Sequence, residues 1–335
     1  MMTYYIGAFP PVYGGVTIKN KYLYEALSEQ LDIRKIDMNR VKRGNIQELL
    51  RLLWALLAGK QYVIGLAGQK NRRMFTKALY ALKRKAMTRS VLMVMGGSVE
   101  DVVAAGPRFL RKANRYRRIY VELPAMERRL KDAGLKNAAI YPNGRPQPQK
   151  LPVLRPAGDT LQCVFFSIIR PEKGVDLILE AAGRLPQMQF HFFGEILPAY
   201  ADIFHAEVEK RNNVVYHGVF SGNSDAVYRE LGSYDLLLLP TRWRGEGLPG
   251  ILVETKIAGV PAIVTDHNYN REIVTHGTDG IVLKENSADA LFSALSMLDQ
   301  DRAQLQHMKQ ESRTTAEHYW IDICAKDVLS VLQEE

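Results

Sequence analysis

The chain has 335 residues, of which 47% are hydrophobic and 24% charged, and its formal net charge at pH 7 is +9. This length favours two domains over one, and the composition is that of a globular protein with a full core rather than a disordered or fibrous chain. No apolar run reaches the ~18 residues of a spanning helix, and Cys163 and Cys324, both in apolar surroundings, predict buried thiols rather than a disulfide.

The charge is divided unevenly along the chain. Residues 1–150 contain 29 Lys and Arg against 10 Asp and Glu, a balance of +19, and the remainder contains 16 against 26, a balance of −10. Such a basic half attracts an anionic surface, which is either a membrane leaflet or a nucleic acid. Aromatic residues alternate with basic ones only around Tyr116 and Tyr120, so the pattern favours a membrane over nucleic acid as the partner.

Apolar runs and helix-like stretches alternate over residues 1–150, which predicts a parallel sheet covered by helices. Strands are predicted at Thr3–Phe9, Asp32–Met38, Tyr62–Leu66, Val91–Met95, Ile119–Leu123 and Ala138–Tyr141. Helices are predicted at Ile18–Gln30, Ile46–Ala58, Arg73–Met87, Ala113–Arg118 and Pro124–Ala133. The chain enters its first strand directly, which predicts no signal peptide.

The predicted helix Ile46–Ala58 has an apolar stripe. The stripe consists of Leu49, Leu50, Leu53, Trp54 and Leu57. Core packing is the commoner use of such a stripe. The alternative is an interfacial helix that binds anionic lipid together with the basic stretch that follows it in the chain.

The same alternation returns after Pro142–Pro156, whose five prolines predict a linker between domains. Strands are predicted at Leu161–Ser167, Gln189–Phe193, Val214–His217, Asp235–Leu239, Val260–Thr265 and Gly280–Leu283. Helices are predicted at Gly174–Leu185, Tyr200–Arg211, Ser224–Gly232, Pro249–Ala258, Ala288–Leu298 and Ile321–Leu332. The two halves therefore predict two similar sheet-and-helix domains.

The stretch Arg244–Gly259 follows an apolar strand and contains two carboxylates. Glu246 lies in a loop, and Glu254 lies in the second turn of the predicted helix. The amides at the start of that helix, from Gly250 onward, form a ready anion site. Together these groups suit a nucleotide sugar, with the amides on its diphosphate, one Glu on sugar hydroxyls and the other on ribose hydroxyls.

Two further motifs follow predicted strands. Gly14 and Gly15 lie where the first strand gives way to the first helix, and a glycine pair there lets the backbone approach a phosphate or sugar closely. The alternative is an ordinary turn. Arg170 and Lys173 follow the first strand of the second half, where they would face a diphosphate as positive charges. The alternative is that both are solvated surface charges.

Signals for a resident cofactor or metal are weak. The Gly-x-Gly-x-x-Gly motif is absent, which argues against an NAD or FAD enzyme. Asp299 and Asp301 form the one Asp-x-Asp motif of the sequence, but it lies near a predicted helix end and predicts a solvated cap. His267 and His276 lack ligand-like spacing. We therefore expect no metal and no required cofactor.

The stretch Glu246–Glu254, following an apolar strand and a proline, resembles the Glu-x7-Glu motif of retaining glycosyltransferase family 4, in the GT-B superfamily. The run from Thr265 to Gly280 is similar to the family's Thr-Asp…Glu-Ile-Val…Gly-x-Asp-Gly pattern. This resemblance covers the second half well and the first half loosely. Four positions depart from it. Ile168 stands where the family has Arg, Met95 stands where it often has a His that touches the donor, and Asn268 and Tyr269 stand where it usually has glycines.

The resemblance implies an α/β fold of the GT-B type, with two Rossmann-like domains facing a central cleft. Residues 1–150 would form an acceptor- or membrane-facing domain, residues 151–318 a nucleotide-sugar-binding domain, and residues 319–335 a helix that crosses back to the first. The implied reaction moves a sugar, with retention, from a UDP-sugar or GDP-sugar to a hydroxyl of a glycan or lipid-linked acceptor. The implied location is the cytoplasm, peripheral at the inner face of the cell membrane.

The resemblance also implies roles for the site residues. Catalytic contacts with the sugar and the diphosphate fall to Glu246, Lys173 and Arg170. The other donor contacts come from the Glu254 carboxylate, at the ribose, and from the backbone at four positions: Gly14, Gly15, Leu248 and Gly250. Two alternatives stay open, namely a sugar-nucleotide epimerase or hydrolase of the same fold, and a non-catalytic module that binds a nucleotide or a membrane.

Overall fold

The computed structural model describes residues 2–11, 14–96 and 99–334. These residues divide into two compact units. The first comprises the described residues of Met1–Pro146, Gly245–Pro249 and Tyr319–Glu335, and the second comprises Gln147–Arg244 and Gly250–His318. Within the described residues each unit contains one six-stranded sheet whose neighbouring strands are all parallel. The prediction of two α/β domains with parallel sheets is therefore confirmed.

The sheet of the first unit has the strand order β2-β1-β3-β4-β5-β6. Its strands are β1 (Thr3–Gly7), β2 (Ile33–Asp37), β3 (Tyr62–Gly65), β4 (Val91–Met93), β5 (Arg118–Val121) and β6 (Ala138–Ile140). The helices of this unit, numbered along the whole chain, are α1 (Gly15–Ser28), α2 (Met38–Lys42), α3 (Ile46–Ala58), α4 (Gln69–Leu82), α5 (Arg84–Met87), α6 (Val99–Ala104), α7 (Pro107–Ala113), α8 (Pro124–Asp132) and α15 (Ile321–Gln333). The strands β1, β3 and β4 are buried throughout, as is typical of a parallel sheet with helices on both faces.

The last helix, α15, packs into the core of the first unit. Val328 and Val331 lie in one buried cluster with Leu23 and Leu27 of α1. The backbone of Arg145 fixes the start of this helix, because its N–H donates to the Tyr319 carbonyl (2.7 Å) and its carbonyl accepts from the Ile321 N–H (2.8 Å). The C-terminal residues are thus held by both apolar packing and backbone hydrogen bonds.

Helix α3 turns its apolar stripe toward solvent. Its buried residues are Glu48, Leu52 and Ala55, and the Glu48 carboxylate accepts the Asp37 N–H (2.8 Å). The exposed large side chains are Ile46, Leu49, Leu50, Leu53, Trp54 and Leu57, with Trp54 63% and Leu57 72% exposed. Because these residues recur at helical spacing, they form one continuous apolar surface, which we call the α3 stripe. The α3 stripe therefore takes no part in the core of its unit.

The sheet of the second unit has the order β12-β11-β10-β7-β8-β9. Its strands are β7 (Gln162–Phe166), β8 (Gln189–Phe193), β9 (Val214–Tyr216), β10 (Leu236–Leu239), β11 (Ala262–Thr265) and β12 (Gly280–Leu283). Its helices are α9 (Val175–Arg184), α10 (Ala201–Glu209), α11 (Ser224–Leu231), α12 (Gly250–Ala258), α13 (Ala288–Gln300) and α14 (Arg302–Thr314). Counted from its own first strand, the order is 3-2-1-4-5-6, that of Rossmann folds, and it reverses between β7 and β10.

One predicted helix is wrong. The helix predicted at Ala113–Arg118 does not form, because α7 already ends at Ala113 and Arg118 begins β5, where it pairs with Val91. Pro107 occupies the first turn of α7, which is the position that suits proline. The prediction placed the helix too late because the basic run after Ala113 contains arginines, which favour helices.

Both cysteines are buried free thiols, as predicted. Cys163 lies in β7 and Cys324 in α15. Burial raises the pKa of Cys324 to about 12 and raises the pKa of Cys163 well above its ordinary value. Both side chains therefore stay protonated at neutral pH, and a protonated thiol is a poor nucleophile.

Candidate functional site

The loops that follow β7 and β10 lie side by side at the point where the second sheet reverses its strand order. The two strands are parallel neighbours, with Leu236 paired to Cys163, so both loops leave the same edge of the sheet. In open α/β sheets, ligands bind in the crevice outside the carboxyl ends of the strands at such a point. The second unit therefore has its candidate site where the predicted Arg170 and Lys173 are located.

Backbone hydrogen bonds join these two loops. The Glu172 carbonyl in the β7 loop accepts the Arg242 N–H (2.8 Å) and the Thr241 hydroxyl (3.4 Å) of the β10 loop. The Arg242 guanidinium also forms an ion pair with Asp176 in the first turn of α9 (2.8 Å). The turn that ends in Lys173 is thus held against the β10 loop by its own backbone.

Gly174 makes this close packing possible. Its φ of 80° is in the left-handed region, and a Cβ on it would lie 2.2 Å from the Pro240 carbonyl oxygen. We expect Gly174→Ala to lower the free energy of unfolding by about 2 kcal/mol or more, since Ala is strained at this φ and clashes with backbone. Chemical denaturation of the purified variant measures this loss.

The matched control for this prediction is Gly183→Ala in α9, the helix that Gly174 precedes. A Cβ on Gly183 would meet Arg211 Nε at 3.4 Å, which is ordinary contact, and alanine has the higher helix propensity. We expect this control to be as stable as the parent protein or slightly more stable. Equal stabilities for the two variants would contradict the role given to Gly174.

Arg170 is already engaged by neighbours within its own unit. Its guanidinium donates to both carboxylate oxygens of Glu172 (2.9 and 3.1 Å) and lies 4.2 Å from the ring centroid of Trp243. The hydrogen bond from Arg170 lowers the pKa of Glu172 to about 2, so both partners are charged at neutral pH. The charge of Arg170 is therefore balanced locally. Ile168, at the position where the resemblance expects Arg, is 48% exposed.

Lys173 and α12 bring positive charge to the same edge of the second sheet. Lys173 ends the short 3₁₀ helix Pro171–Lys173, and its side chain is partly exposed. Helix α12 begins at Gly250, so the amides of its first turn lack carbonyl partners within the helix. In α12, whose nine residues are all described, Gly250 and Glu254 alone are not fully buried. Glu254 thus lies one turn beyond the helix start.

Glu246 and Leu248 belong to the segment Gly245–Pro249, which clusters with the first unit. Glu246 is buried, with 9% of its surface exposed. The Leu248 N–H donates to the Glu122 carboxylate (3.0 Å), and the Leu248 carbonyl accepts from Lys19 (3.2 Å). The Leu248 amide, predicted to meet a phosphate, therefore has a protein partner in this structure.

Gly14 and Gly15 stand at the start of α1 in the first unit. A Cβ at either position would meet no atom of the described residues within 4 Å, and Gly14 is extended, with φ at −178°. Packing within the described chain thus does not require glycine at either position. Met95, where the resemblance expects a donor-binding His, is 4% exposed and lies in the hydrophobic core of the unit.

Sequence reasoning missed three polar residues around Leu248. Glu122, Lys19 and Asn143 all bind its backbone, and each is buried. Glu122 directly follows β5, so a charged residue after an apolar strand was the signal that could have revealed it. Lys19 and Asn143 offered no comparable signal, because their partners are far away in sequence.

The acidic pair Asp299 and Asp301 has structural roles. The Asp301 side chain accepts the Gln304 N–H (2.9 Å) and caps the start of α14, a helix that was not predicted. Asp299 forms an ion pair with Arg302. In the described part of the chain, no group of three or more His, Cys, Asp or Glu side chains could hold a metal ion.

Comparison with known proteins gives a family match in the second half of the chain. The family model described as Glycosyl transferases group 1 matches residues 147–315, about half of the chain. The GDP-mannose-dependent alpha-(1-6)-phosphatidylinositol monomannoside mannosyltransferase of Mycobacterium tuberculosis is 27% identical over 198 residues, 54% of this chain and 51% of that protein. The lipopolysaccharide core biosynthesis mannosyltransferase LpsB of Rhizobium meliloti is 28% identical over 165 residues, 45% of this chain and 44% of that protein.

A third relative is matched over a smaller part. The Exopolysaccharide phosphotransferase SCO2592 of Streptomyces coelicolor is 31% identical over 106 residues, 31% of this chain and 11% of that protein. The chain therefore spans about half the length of two of these relatives and much less of the third.

Solved structures resemble the whole chain in fold. Anabaena Alr3699/HepE in complex with UDP and glucose has a TM-score of 0.73 at 14% identity and covers 99% of both chains. Sucrose-phosphate synthase from Thermosynechococcus elongatus has a TM-score of 0.74 at 14% identity, over 99% of this chain and 98% of that one. At these identities the likeness shows the fold, which is that of GT-B proteins.

Proposed function

Because the chain belongs to the glycosyl transferases group 1 family, we propose that it transfers a sugar from a nucleotide-diphosphate sugar to a hydroxyl of a glycan or lipid-linked acceptor. The main support is the crevice of the second unit, where Lys173 and the start of α12 lie at the carboxyl ends of neighbouring strands. A cation beside a helix N-terminus suits a diphosphate.

We propose that different site residues bind different parts of the donor. Lys173 and the amides from Gly250 onward bind the diphosphate, Glu254 binds the ribose, and Glu246 binds sugar hydroxyls. Arg170 lies near Lys173 in the chain and also binds the diphosphate, although Glu172 balances its charge. In the first unit, the backbone of Gly14 and Gly15 contacts the donor, since the space around both residues lets the donor approach closely. Since the Leu248 amide already binds Glu122, the phosphate contacts of the loop fall to the amides that follow it.

The transfer we propose retains the configuration at the anomeric carbon. The bond from that carbon to the phosphate oxygen breaks, and the bond to the acceptor oxygen forms on the same face. The acceptor hydroxyl gives its proton to the departing phosphate oxygen, so no strong protein base is needed. This route suits a chain with Met95 in place of the His that the family often has, because the positive groups around the diphosphate stabilise the leaving group.

The donor in this proposal is a UDP-sugar or a GDP-sugar. UDP appears in the description of the similar Anabaena structure, and GDP-mannose appears in the name of the mycobacterial relative. The names of the relatives concern exopolysaccharide, lipopolysaccharide and phosphatidylinositol mannoside. We accordingly place the reaction in polysaccharide or glycolipid synthesis.

We further propose that the protein is cytoplasmic and touches the anionic inner face of the cell membrane through the first unit. The support is the α3 stripe together with adjacent positive charge. The Lys83 ammonium donates to the Leu57 carbonyl at the end of α3, and Arg84 and Lys85 next to it are exposed. No helix within the described residues has both the length and the apolar content to cross a bilayer. An apolar helix face beside Lys and Arg is the pattern of interfacial helices.

The test of the donor site is thermal stabilisation by UDP, GDP, ADP and CDP. A ligand that binds the native state at 100 times its Kd stabilises it by about 2.7 kcal/mol. We expect one of UDP or GDP to raise the melting temperature by several degrees and the others to have little effect. The Glu254→Gln variant should need more of the same nucleotide for an equal shift, since one ribose contact is weakened.

The outcomes separate the proposal from its alternatives. Stabilisation followed by sugar transfer to an acceptor supports the proposed enzyme. Stabilisation followed only by release of sugar to water, or by conversion of the donor sugar, would favour the hydrolase or epimerase. Absence of any shift would favour the non-catalytic module that binds a membrane, and a shift without any reaction of the donor would favour the one that binds a nucleotide.

A further inference from the structure

A buried ion pair in the first unit binds the segment that contains Glu246. Lys19 in α1 and Glu122 after β5 are 5% and 3% exposed, and their charged groups are in direct contact. Glu122 Oε2 accepts both the Leu248 N–H (3.0 Å) and the Gly96 N–H (3.2 Å). Lys19 Nζ also donates to the Leu248 carbonyl (3.2 Å). The pair thus binds both polar backbone groups of Leu248.

Two further contacts in the first unit fix the same segment, one at Leu248 and one at Gly247. Asn143 Nδ2 donates to the Leu248 carbonyl (3.1 Å), and the buried Arg145 guanidinium donates to the Asn143 side-chain oxygen. A Cβ on Gly247 would lie 2.5 Å from the Gly96 carbonyl carbon and 2.6 Å from Glu122 Oε2. The backbone of Gly247 therefore fits against the first unit with no room for a side chain.

The choice of charged residues here suits a geometric role better than a stabilising one. Removing two charges from water costs free energy, and well-packed apolar residues are often as stable as a buried ion pair. A carboxylate, however, can accept from an ammonium and from two amides at once, which no neutral side chain can do. The pair orients the backbone of Leu248 from both of its polar sides.

We propose that Lys19 and Glu122 are positioning residues, which fix Gly245–Pro249 and thereby set Glu246 for its contact with the donor sugar. This inference rests on the proposed function. The contacts proposed for the nucleoside diphosphate lie on the second unit, at Lys173 and α12, and do not involve the pair. Disrupting the pair should therefore lower the rate of sugar transfer but should not weaken binding of the nucleoside diphosphate.

The test is Glu122→Gln, which keeps the size of the side chain but removes its charge and one acceptor oxygen. We expect kcat for transfer to fall by about 10- to 100-fold, because a small misplacement of a catalytic contact has a large kinetic effect. The concentration of UDP or GDP needed for half-maximal thermal stabilisation should stay within about twofold of the parent value. The double variant Lys19→Met/Glu122→Gln should regain stability, since no charge is left unpaired, but should not regain kcat.

Asp235→Asn is the matched control, since it breaks a buried ion pair of similar design in the second unit. Asp235 binds Lys309 and also accepts the Gln162 N–H (2.9 Å). We expect a comparable loss of melting temperature and an unchanged kcat in the folded protein. An unchanged kcat in Glu122→Gln, or equal losses of kcat in Glu122→Gln and Asp235→Asn, would overturn the inference. Failure of the parent protein to bind any nucleotide would instead overturn the proposed function.

Discussion

Replacing Lys173 by methionine is expected to lower kcat/KM for sugar transfer by about 100- to 1000-fold, the typical cost of removing one preorganised group that stabilises developing charge. Methionine keeps the approximate length of the side chain and loses its ammonium. As the bond to the sugar breaks, negative charge grows on the diphosphate, so the ammonium stabilises the transition state more than the bound donor. Steady-state measurement of nucleoside diphosphate release gives both kcat and KM.

Arg184→Met is the control for this prediction. Arg184 lies at the other end of α9 and forms an exposed ion pair with Asp289. Such surface pairs contribute little to stability, and removing this positive charge should leave kcat/KM near the parent value. A Lys173→Met variant that retains more than a tenth of the parent kcat/KM would remove Lys173 from the proposed site.

Apolar runs predicted the strands well because parallel sheets are buried on both faces. Residues such as Tyr62–Gly65 and Leu236–Leu239 are buried without exception, so the sequence shows continuous apolar stretches rather than alternation. Helix boundaries were harder to predict. Helix α14 was not predicted, although Asp301 caps its start, because polar residues dominate its sequence.

The candidate site was predictable only where its residues are close in sequence. The Glu246–Glu254 spacing and the Lys173 turn are local patterns, and each follows a strand that could be predicted. The sequence pattern gave Arg170 and Lys173 one shared role at the diphosphate, whereas the structure pairs Arg170 with its near neighbour Glu172. That pairing is a matter of side-chain geometry, which spacing alone does not determine.

The binding of Leu248 in the first unit had no counterpart in the sequence pattern. Its partners Lys19, Glu122 and Asn143 are separated from it by more than a hundred residues. Such contacts depend on which strands and loops meet in the folded chain. Periodicity predicts that a residue follows a strand, but it does not identify the distant backbone group that the residue will bind.

The α3 stripe also shows what a sequence pattern cannot predict. Helical spacing correctly predicted an amphipathic helix at Ile46–Ala58, but it left open whether the protein core or a membrane covers the apolar side. The structure leaves that side exposed, with Glu48 among the buried residues instead. We infer that a partner covers this stripe of six large apolar side chains, because contiguous exposed apolar patches mark interaction sites.

We expect Leu53→Ser/Leu57→Ser to weaken binding to vesicles rich in phosphatidylserine by roughly 50-fold. Each leucine side chain would be partly buried in the bilayer, and losing both costs about 2–3 kcal/mol of binding free energy. Since a tenfold change in the partition constant corresponds to about 1.4 kcal/mol, this loss gives the stated factor. Because both leucines are exposed, the melting temperature should not fall. Co-sedimentation with vesicles over a range of lipid concentrations measures the partition constant.

The control for membrane binding is Ile203→Ser/Met297→Ser, which removes two exposed apolar side chains from the acidic half of the chain. We expect this variant to bind anionic vesicles like the parent protein. Raising the salt concentration to about 0.5 M should weaken binding of the parent, because screening shortens the reach of the positive charges around Lys83. Equal binding to neutral and anionic vesicles would show that these charges take no part. Equal binding by the two serine variants would show that the α3 stripe does not face the membrane and that another partner covers it.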